Sequence, residues 1–320
     1  MAKAFWLTYP GTGEIRTEQV PDPAEGEVRV RTLHSGVSRG TETLVFQGRV
    51  PENQWAAMRA PFQQGDFPGP LKYGYLNAGV VEAGVPELIG KTVFCLYPHQ
   101  TEYVVPASAV TVVPDGVPAA RAVLAGTVET AVNAVWDAAP QIGDRITVVG
   151  AGMVGASVAA VLAGLPATDV QLVDVDESRA STAAALGVGF ASPSSAAADR
   201  DIVIHASATQ SGLTTSLGLL RPEGTVVELS WYGDNAVSVP LGEFFHSKRL
   251  TIRSSQVGGI SPTRHRSYAE RFQTALELLK DPRFDALITG HSPFSELPAV
   301  LPALADGSVK ALCHVIDHPI

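Results

Sequence analysis

Residues 146–164, ITVVGAGMVGASVAAVLAG, join an apolar strand-like run to a helix-like run through Gly150, Gly152 and Gly155. This spacing suits dinucleotide phosphates. Gly150 lets the chain turn tightly, Gly152 leaves room for a pyrophosphate near the backbone, and Gly155 lets the helix pack close to the sheet. Met153 and Val154 open that helix, whose free N–H groups and partial positive charge attract an anion. A second run, DVQLVDVD, ends in acid. Asp174 lies 174 − 155 = 19 residues past the last glycine, where a carboxylate accepts hydrogen bonds from an adenosine ribose. Such a carboxylate repels a 2′-phosphate and favours NAD, and Arg179 leaves NADP as the second choice. Asp176 either adds a second negative charge there or caps the next helix.

A second group of residues could handle protons. HSGVSRGTE (34–42) follows the alternating strand-like EVRVRTL and holds a histidine, an arginine, a glutamate and three hydroxyls, but no cysteine. It reads as a surface turn or as an active-site loop. Ser38 and Glu42 are its candidates for chemistry. Elsewhere, His99 in LYPHQTEYVVP could give or take a proton near neutral pH. Tyr73 and Tyr75 flank a glycine in LKYGYLNAGV, and a phenol is a good neutral donor to an oxyanion. Lys72 could lower a nearby tyrosine's pKa, although most lysines are solvated. The plainer readings are a loop histidine and aromatics packed in a barrel. Glu129 and Thr130 precede an apolar run as first-turn residues of a helix.

The elements that must position these residues change character along the chain. The first hundred or so residues read as short strands (AFWLTY, EVRVRTL, GVVEAG, KTVFCLY, TEYVVP) between Gly/Pro-rich turns, which suggests a barrel. From about residue 120, apolar strands alternate with helical stretches, as in a parallel sheet covered on both faces. SYAERFQTALELLKD then reads as an amphipathic helix and VKALCHVID as a closing strand.

The 320 residues are 45% hydrophobic and 17% charged, ample for a buried core and for about two domains. The net charge of −9, without a basic block apart from the short SPTRHR, argues against nucleic acid. No apolar run reaches the roughly 18 residues of a membrane span. The N-terminus lacks signal-peptide features, so a cytoplasmic protein is expected. Cys95 and Cys313 supply neither a CxxC site nor a disulfide framework.

Taken in order, GEVRVRTLHSGVSRGTE, TEYVVP, VETAVNA and the glycine fingerprint resemble the medium-chain dehydrogenase/reductase superfamily, whose best-known members are alcohol dehydrogenases. The resemblance covers essentially the whole chain. SGVSRGTETLVFQGRVP and LKYGYLNAGVVEAG are most similar to the bacteriochlorophyllide dehydrogenase-like branch. The resemblance implies an α/β fold: a Rossmann doubly wound parallel sheet plus a GroES-like β-barrel domain. Residues 1–124 would begin the GroES-like catalytic domain, 125–256 would form the Rossmann domain, and 257–320 would return to the first.

It also implies roles. Ser38 stands where zinc-dependent members carry a cysteine ligand. Lys72-Tyr73-Gly74-Tyr75 stands where they carry Gly-His-Glu. The third ligand falls near LAGTVE, where only Glu129 could coordinate. A serine hydroxyl is a poor zinc ligand, so a zinc-free site is expected, with His99 and the tyrosine pair first in line as donors. Thr130 matches a threonine on the nicotinamide side. Ser230 and Trp231 fall at the nicotinamide ribose, and Ser255, Gln256 and Val257 where the backbone holds the carboxamide. Lys310 stands where relatives often carry an arginine that reaches the pyrophosphate.

The expected activity is zinc-independent, NAD(P)-linked hydride transfer to or from a secondary alcohol or ketone. The alternatives are C=C reduction of the enoyl or quinone type, and dinucleotide binding without catalysis. The partner is a small molecule, and the aromatic-rich segment 46–70 could cover a sizeable one. Relatives pair the edges of their Rossmann sheets, so a homodimer or homotetramer is expected through VVELSW and AVSVPL.

Overall fold

The computed structural model describes residues 1–261 and 264–319. The chain forms two compact units, Met1–Gly126 with Ile288–Ile320, and Thr127–Leu287.

The first unit opens with β1 (Ala2–Tyr9) and β2 (Thr12–Glu18), an antiparallel pair turned at Gly11, whose φ of 81° suits a residue without Cβ. β3 (Glu27–Ser38) buries Val28, Val30 and Thr32 and turns the residues between them outward. The alternation stops at Ser35, and Ser35 to Ser38 are all buried. HSGVS is therefore the end of this strand rather than a turn, and α1 (Arg39–Phe46) follows at once. Paired neighbours on both sides explain this. Ser35 lies opposite Asn77 on one flank and Ile316 on the other, so its backbone groups are satisfied although the residues are polar. β4 (Gln64–Gly65), β5 (Leu71–Lys72), β6 (Asn77–Gly84), β7 (Thr92–Cys95), β8 (Glu102–Pro106), β9 (Val110–Val112) and α2 (Ala119–Ala122) complete the N-terminal part. Val28, Val30, Val81, Val93, Tyr97, Tyr103 and Val105 make its core.

The second unit holds α3 (Ala125–Ala138), β10 (Arg145–Val149), α4 (Met153–Leu162), β11 (Asp169–Val173), α5 (Ala180–Leu186), β12 (Gly189–Ala191), β13 (Arg200–His205), α6 (Gln210–Leu219), β14 (Leu220–Glu228), β15 (Thr251–Ser254) and α7 (Tyr268–Leu278). Its six strands are all parallel, in the order β12-β11-β10-β13-β14-β15. Numbered within the unit this is 3-2-1-4-5-6, the doubly wound dinucleotide-binding order. Strands β10, β11 and β13 are apolar almost throughout because helices cover both faces.

The chain then returns through β16 (Ile288–Pro293), α8 (Leu297–Ala305) and β17 (Cys313–Asp317). β17 pairs antiparallel with β3, setting Cys313 opposite Ser38 and Asp317 opposite His34. The first unit is thus a β domain built from both ends of the chain, and the fold is a Rossmann unit with a GroES-like β domain.

Two expectations change. The return begins at Ile288 rather than 257. Helix α7 stays in the second unit because Arg271 is bonded to Glu129 and Asn133 of α3. The sheet edge is β15, not VVELSW with AVSVPL: β14 has a partner on each side, and 236–241 holds no strand. Among the described residues no helix is long and apolar enough to cross a membrane.

Candidate active site

Three stretches of the first unit converge. The end of β3 with the first turn of α1 brings Ser38, Thr41 and Glu42. The segment after β5 brings Tyr73 and Tyr75, and the segment before β8 brings His99. The side chains of Ser38 and Thr41 lie beside the Tyr75 phenol. Burial pushes it up to about 12, the charge of Glu42 adds to this, and the two hydroxyls oppose it. Tyr75 is half-buried, whereas Tyr73, Ser38, Glu42 and His99 are buried. Tyr73 packs edge-on against Tyr75 with ring centroids 6.0 Å apart, and burial also raises its pKa. Gly74 between them has φ +123°, and a Cβ there would lie 2.9 Å from His99 Cδ2. Only glycine lets the backbone between the two tyrosines come so close to the imidazole.

Glu42 is the hub below this surface. Its Oε1 accepts the Ser38 N–H at 2.7 Å and its Oε2 lies 2.8 Å from His99 Nε2. His99 Nδ1 lies 2.7 Å from Ser35 Oγ, which is 2.9 Å from His318 Nε2. A cavity of about 10 Å³, the room of one water, is lined by Phe5, Leu7, Glu42, Tyr73, His99 and Leu301. Both nitrogens of His99 are engaged, so it presents no free N–H to a substrate; Tyr75 takes first place as donor. Sequence reading missed Thr41, Ser35 and His318. Thr41 stood in the quoted motif, but His318 is brought in only by the pairing of β17 with β3.

Two candidates leave this group. Lys72 is fully buried, but its Nζ donates to Glu18 Oε2 at 2.8 Å and Gln100 Oε1 at 2.5 Å. Strand alternation explains this, because Lys72 and Tyr73 point to opposite faces. Glu129 belongs to the second unit, and its Oε1 accepts Arg271 Nε at 2.9 Å and Nη2 at 2.6 Å. Burial nevertheless pushes its carboxyl up to about 7 against the pull of Arg271.

Among the described residues no three His, Cys, Asp or Glu side chains are grouped to hold a metal. Ser38 and Tyr75 offer hydroxyls, and burial keeps the phenol neutral. Such a donor set does not fit zinc, which takes thiolate, imidazole or carboxylate.

The fingerprint in the second unit fits a dinucleotide. Gly150 has φ +105°, and a Cβ there would lie 2.6 Å from the Ser207 nitrogen. A Cβ at Gly155 would overlap the Gly150 carbonyl, so the glycine is needed for helix α4 to pack. At Gly152 a Cβ would meet nothing within 4 Å; the protein itself does not need that glycine, but an approaching ligand would. Met153 and Val154 form the first turn of α4. Asp174 caps β11, its Oδ2 accepting the Ala151 N–H at 2.7 Å and its Oδ1 the Asp176 N–H at 2.8 Å. Asp176 caps the turn before α5 by accepting from Ser178, and Arg179 Nε lies 3.7 Å from Asp176 Oδ2.

The remaining cofactor candidates are placed as follows. Thr130 is half-buried on α3. Ser230 and Trp231 follow β14, and Glu228 organises that loop. Its carboxylate accepts the Ser230 N–H at 2.7 Å and the Tyr232 O–H at 3.1 Å, and lies 2.7 Å from His205 Nδ1. Burial alone would raise Glu228, but the bonds from His205 and Ser230 hold it below its ordinary value. Ser255 donates to Asp137, while the Gln256 and Val257 carbonyls accept from Asn133 and Arg271. Those two carbonyls are thus already engaged within the unit. Lys310 is exposed on the return segment of the first unit.

No family model matches the chain. Over 87 residues it is 34% identical to a 2-desacetyl-2-hydroxyethyl bacteriochlorophyllide A dehydrogenase of Cereibacter sphaeroides, a match covering 26% of this chain and 23% of that protein. The chain thus spans about a quarter of the length of that curated relative. Solved structures match far more completely. They include a 2R,3R-butanediol dehydrogenase from Bacillus subtilis (TM-score 0.81, 17% identity, all of both chains). An alcohol dehydrogenase from Escherichia coli complexed with NADH is similar at TM-score 0.77 and 19% identity, over 100% of this chain and 99% of that one. The L-idonate 5-dehydrogenase of Escherichia coli gives 0.78 and 16% over 99% and 98%. At these identities the likeness shows a shared fold.

Proposed function

We propose that this chain is a nicotinamide-dependent oxidoreductase that interconverts a ketone and a secondary alcohol without zinc. The observation that carries this reading is the Tyr75 phenol: half-buried, beside Ser38, Thr41 and Tyr73, and kept neutral across the physiological range by burial. Reduction of a carbonyl develops negative charge on oxygen, and a preorganised neutral donor stabilises it. Bound at the fingerprint, the dinucleotide would supply or accept the hydride. Tyr75 would donate its hydrogen bond, and then its proton, to the carbonyl oxygen. Ser38 and Thr41 would steady the phenolate left behind, and Glu42 and His99 below would hold the replacement proton. Asp174 favours NAD over NADP. The dinucleotide complex among the similar folds and the short match to a dehydrogenase support the same reading.

The test is NADH oxidation against a panel of ketones and enones, in parallel with NADH binding by fluorescence. Turnover on ketones supports carbonyl chemistry, turnover confined to enones favours C=C reduction, and tight binding without turnover points to a non-catalytic protein.

A further inference from the structure

We propose that Glu228, His205 and Ser207 form an acid–base–nucleophile triad within the second unit, which transfers the acyl group of a small activated ester to water. This activity is separate from hydride transfer and does not depend on it. Ser207 Oγ lies 2.6 Å from His205 Nε2, and His205 Nδ1 lies 2.7 Å from Glu228 Oε2. A hydroxyl on one ring nitrogen and a carboxylate on the other is the arrangement that turns a serine into a nucleophile. His205 ends β13, Glu228 ends β14, and the parallel register sets the two opposite each other. Ser207 follows two residues later, at the carboxyl end of the sheet, where open α/β folds bind ligands.

The proton positions follow from the partners. Glu228 accepts on both oxygens, Oε1 taking the Ser230 N–H at 2.7 Å and Oε2 the Tyr232 O–H at 3.1 Å. It is therefore a carboxylate, and the His205 proton facing it sits on Nδ1. Nε2 is then bare and accepts the Ser207 O–H. Ser207 Oγ keeps a lone pair for the Thr209 hydroxyl, 2.9 Å away. His205 is completely buried and the Glu228 side chain is 13% exposed, so water is kept from the orienting pair. Ser207 is half-buried and Thr209 beside it is exposed, which leaves the nucleophile within reach of a small ester. A histidine that only held the loop would need its bond to Glu228. The second bond, to a serine two residues on, ties the loop to itself and adds no link between strands.

The first turn of α6 completes the site. Gln210 and Ser211 are its first two residues, and their N–H groups have no partner within the helix. Thr209 caps the third, Gly212. A Cβ at Gly212 would lie 2.1 Å from Ser207 Oγ and 2.6 Å from His205 Nε2. The serine hydroxyl thus lies against the turn that carries these donors, and glycine makes the room for it. Backbone donors at the positive end of a helix stabilise an oxyanion as it forms.

The steps balance. Ser207 Oγ attacks the ester carbonyl while its proton moves to His205 Nε2. The intermediate collapses, the bond to the leaving oxygen breaks, and His205 gives that oxygen the proton. Water then attacks the acyl-serine while His205 takes a proton from it, the acyl–Oγ bond breaks, and the proton returns to Ser207. Ester and water become acid and alcohol, with no oxidant or reductant.

The test uses the full chain, free of dinucleotide, with p-nitrophenyl acetate. Dinucleotide is left out because Gly150 of the fingerprint packs on the Ser207 backbone, its Cβ position 2.6 Å from the Ser207 nitrogen. Wild type should release p-nitrophenol faster than an equal concentration of imidazole does, and peptide mapping after an acid quench should find the acetyl group on Ser207. Ser207→Ala and His205→Gln should each lower the rate by about a hundredfold or more, and the double variant should lose no more than either single one, because the members of a triad act as a unit. Should a variant fail to fold, mapping of the wild type decides alone. A Ser207→Ala rate within twofold of wild type, or acetyl confined to other residues, overturns the triad. So does a wild-type rate no greater than that of imidazole.

Discussion

Ser38, the last residue of β3, lies beside the phenol of Tyr75, which follows β5. Two residues far apart in the chain thus form one donor site. Replacing Tyr75 with Phe keeps the ring and its edge contact with Tyr73 but removes the donor. Turnover should fall by about a hundredfold or more, the usual cost of one oxyanion donor. NADH affinity, read by fluorescence, should stay within twofold. A variant with full kcat would remove Tyr75 from the chemistry.

The same pair bears on metal content. The purified protein should carry no stoichiometric zinc by elemental analysis, and a chelator should leave its turnover unchanged, because two neutral hydroxyls cannot replace thiolate and imidazole. One zinc per chain, with activity lost to the chelator and restored by zinc, would overturn this.

Asp174 should set dinucleotide preference. NADH should bind more tightly than NADPH, and Asp174→Ala should narrow the gap by weakening NADH and relieving the repulsion of the 2′-phosphate. Titrations of both cofactors against both proteins decide it; equal preference in wild type and variant would acquit Asp174.

Glu129 should leave a mark on stability against pH. In the folded chain its carboxyl lies at about 7 rather than its ordinary 4.5, so the folded state binds the extra proton. This contribution to stability is fully present below about pH 4.5 and is lost as pH rises through 7. Urea melts of Glu129→Gln should therefore change less between these values than those of wild type. Identical slopes would mean that Arg271 keeps Glu129 ionised throughout.

Strand β15, the outer strand of the parallel sheet, has one flank without a strand partner among the described residues. An edge of this kind is a ready template for a second copy. A dimer or tetramer should appear by light scattering at micromolar concentration, and Ile252→Pro should shift it toward monomer. A monomeric wild type would count against the edge as an interface.

Some of this was legible residue by residue. The glycine fingerprint and Asp174 are local features: a tight turn, a helix start and a strand end each leave a mark within a few residues, and their spacing is fixed by the strand–turn–helix unit. Ser38, Glu42, Tyr73, Tyr75 and His99 were found singly, from residue type and from family resemblance. Their grouping was not legible, because it depends on which strands neighbour β3. Lys72 shows the limit well. Its type suited the site, but the strand's alternation turned it to Glu18 and Gln100.

The sequence by itself determined the two kinds of architecture and the dinucleotide turn. These depend on short-range periodicity and on which atoms the side chains possess. Only the tertiary structure decided that Ser38 and Thr41 lie beside Tyr75, that His99 is shut between Glu42 and Ser35, and that Glu129 belongs to Arg271. It also decided that the C-terminal strand carries His318 into the buried network. The physical reason is that hydrogen-bond partnership falls off within an ångström or so. It is therefore fixed by strand register and by pairings between distant parts of the chain, such as β17 on β3, for which no local pattern of residues provides a signal.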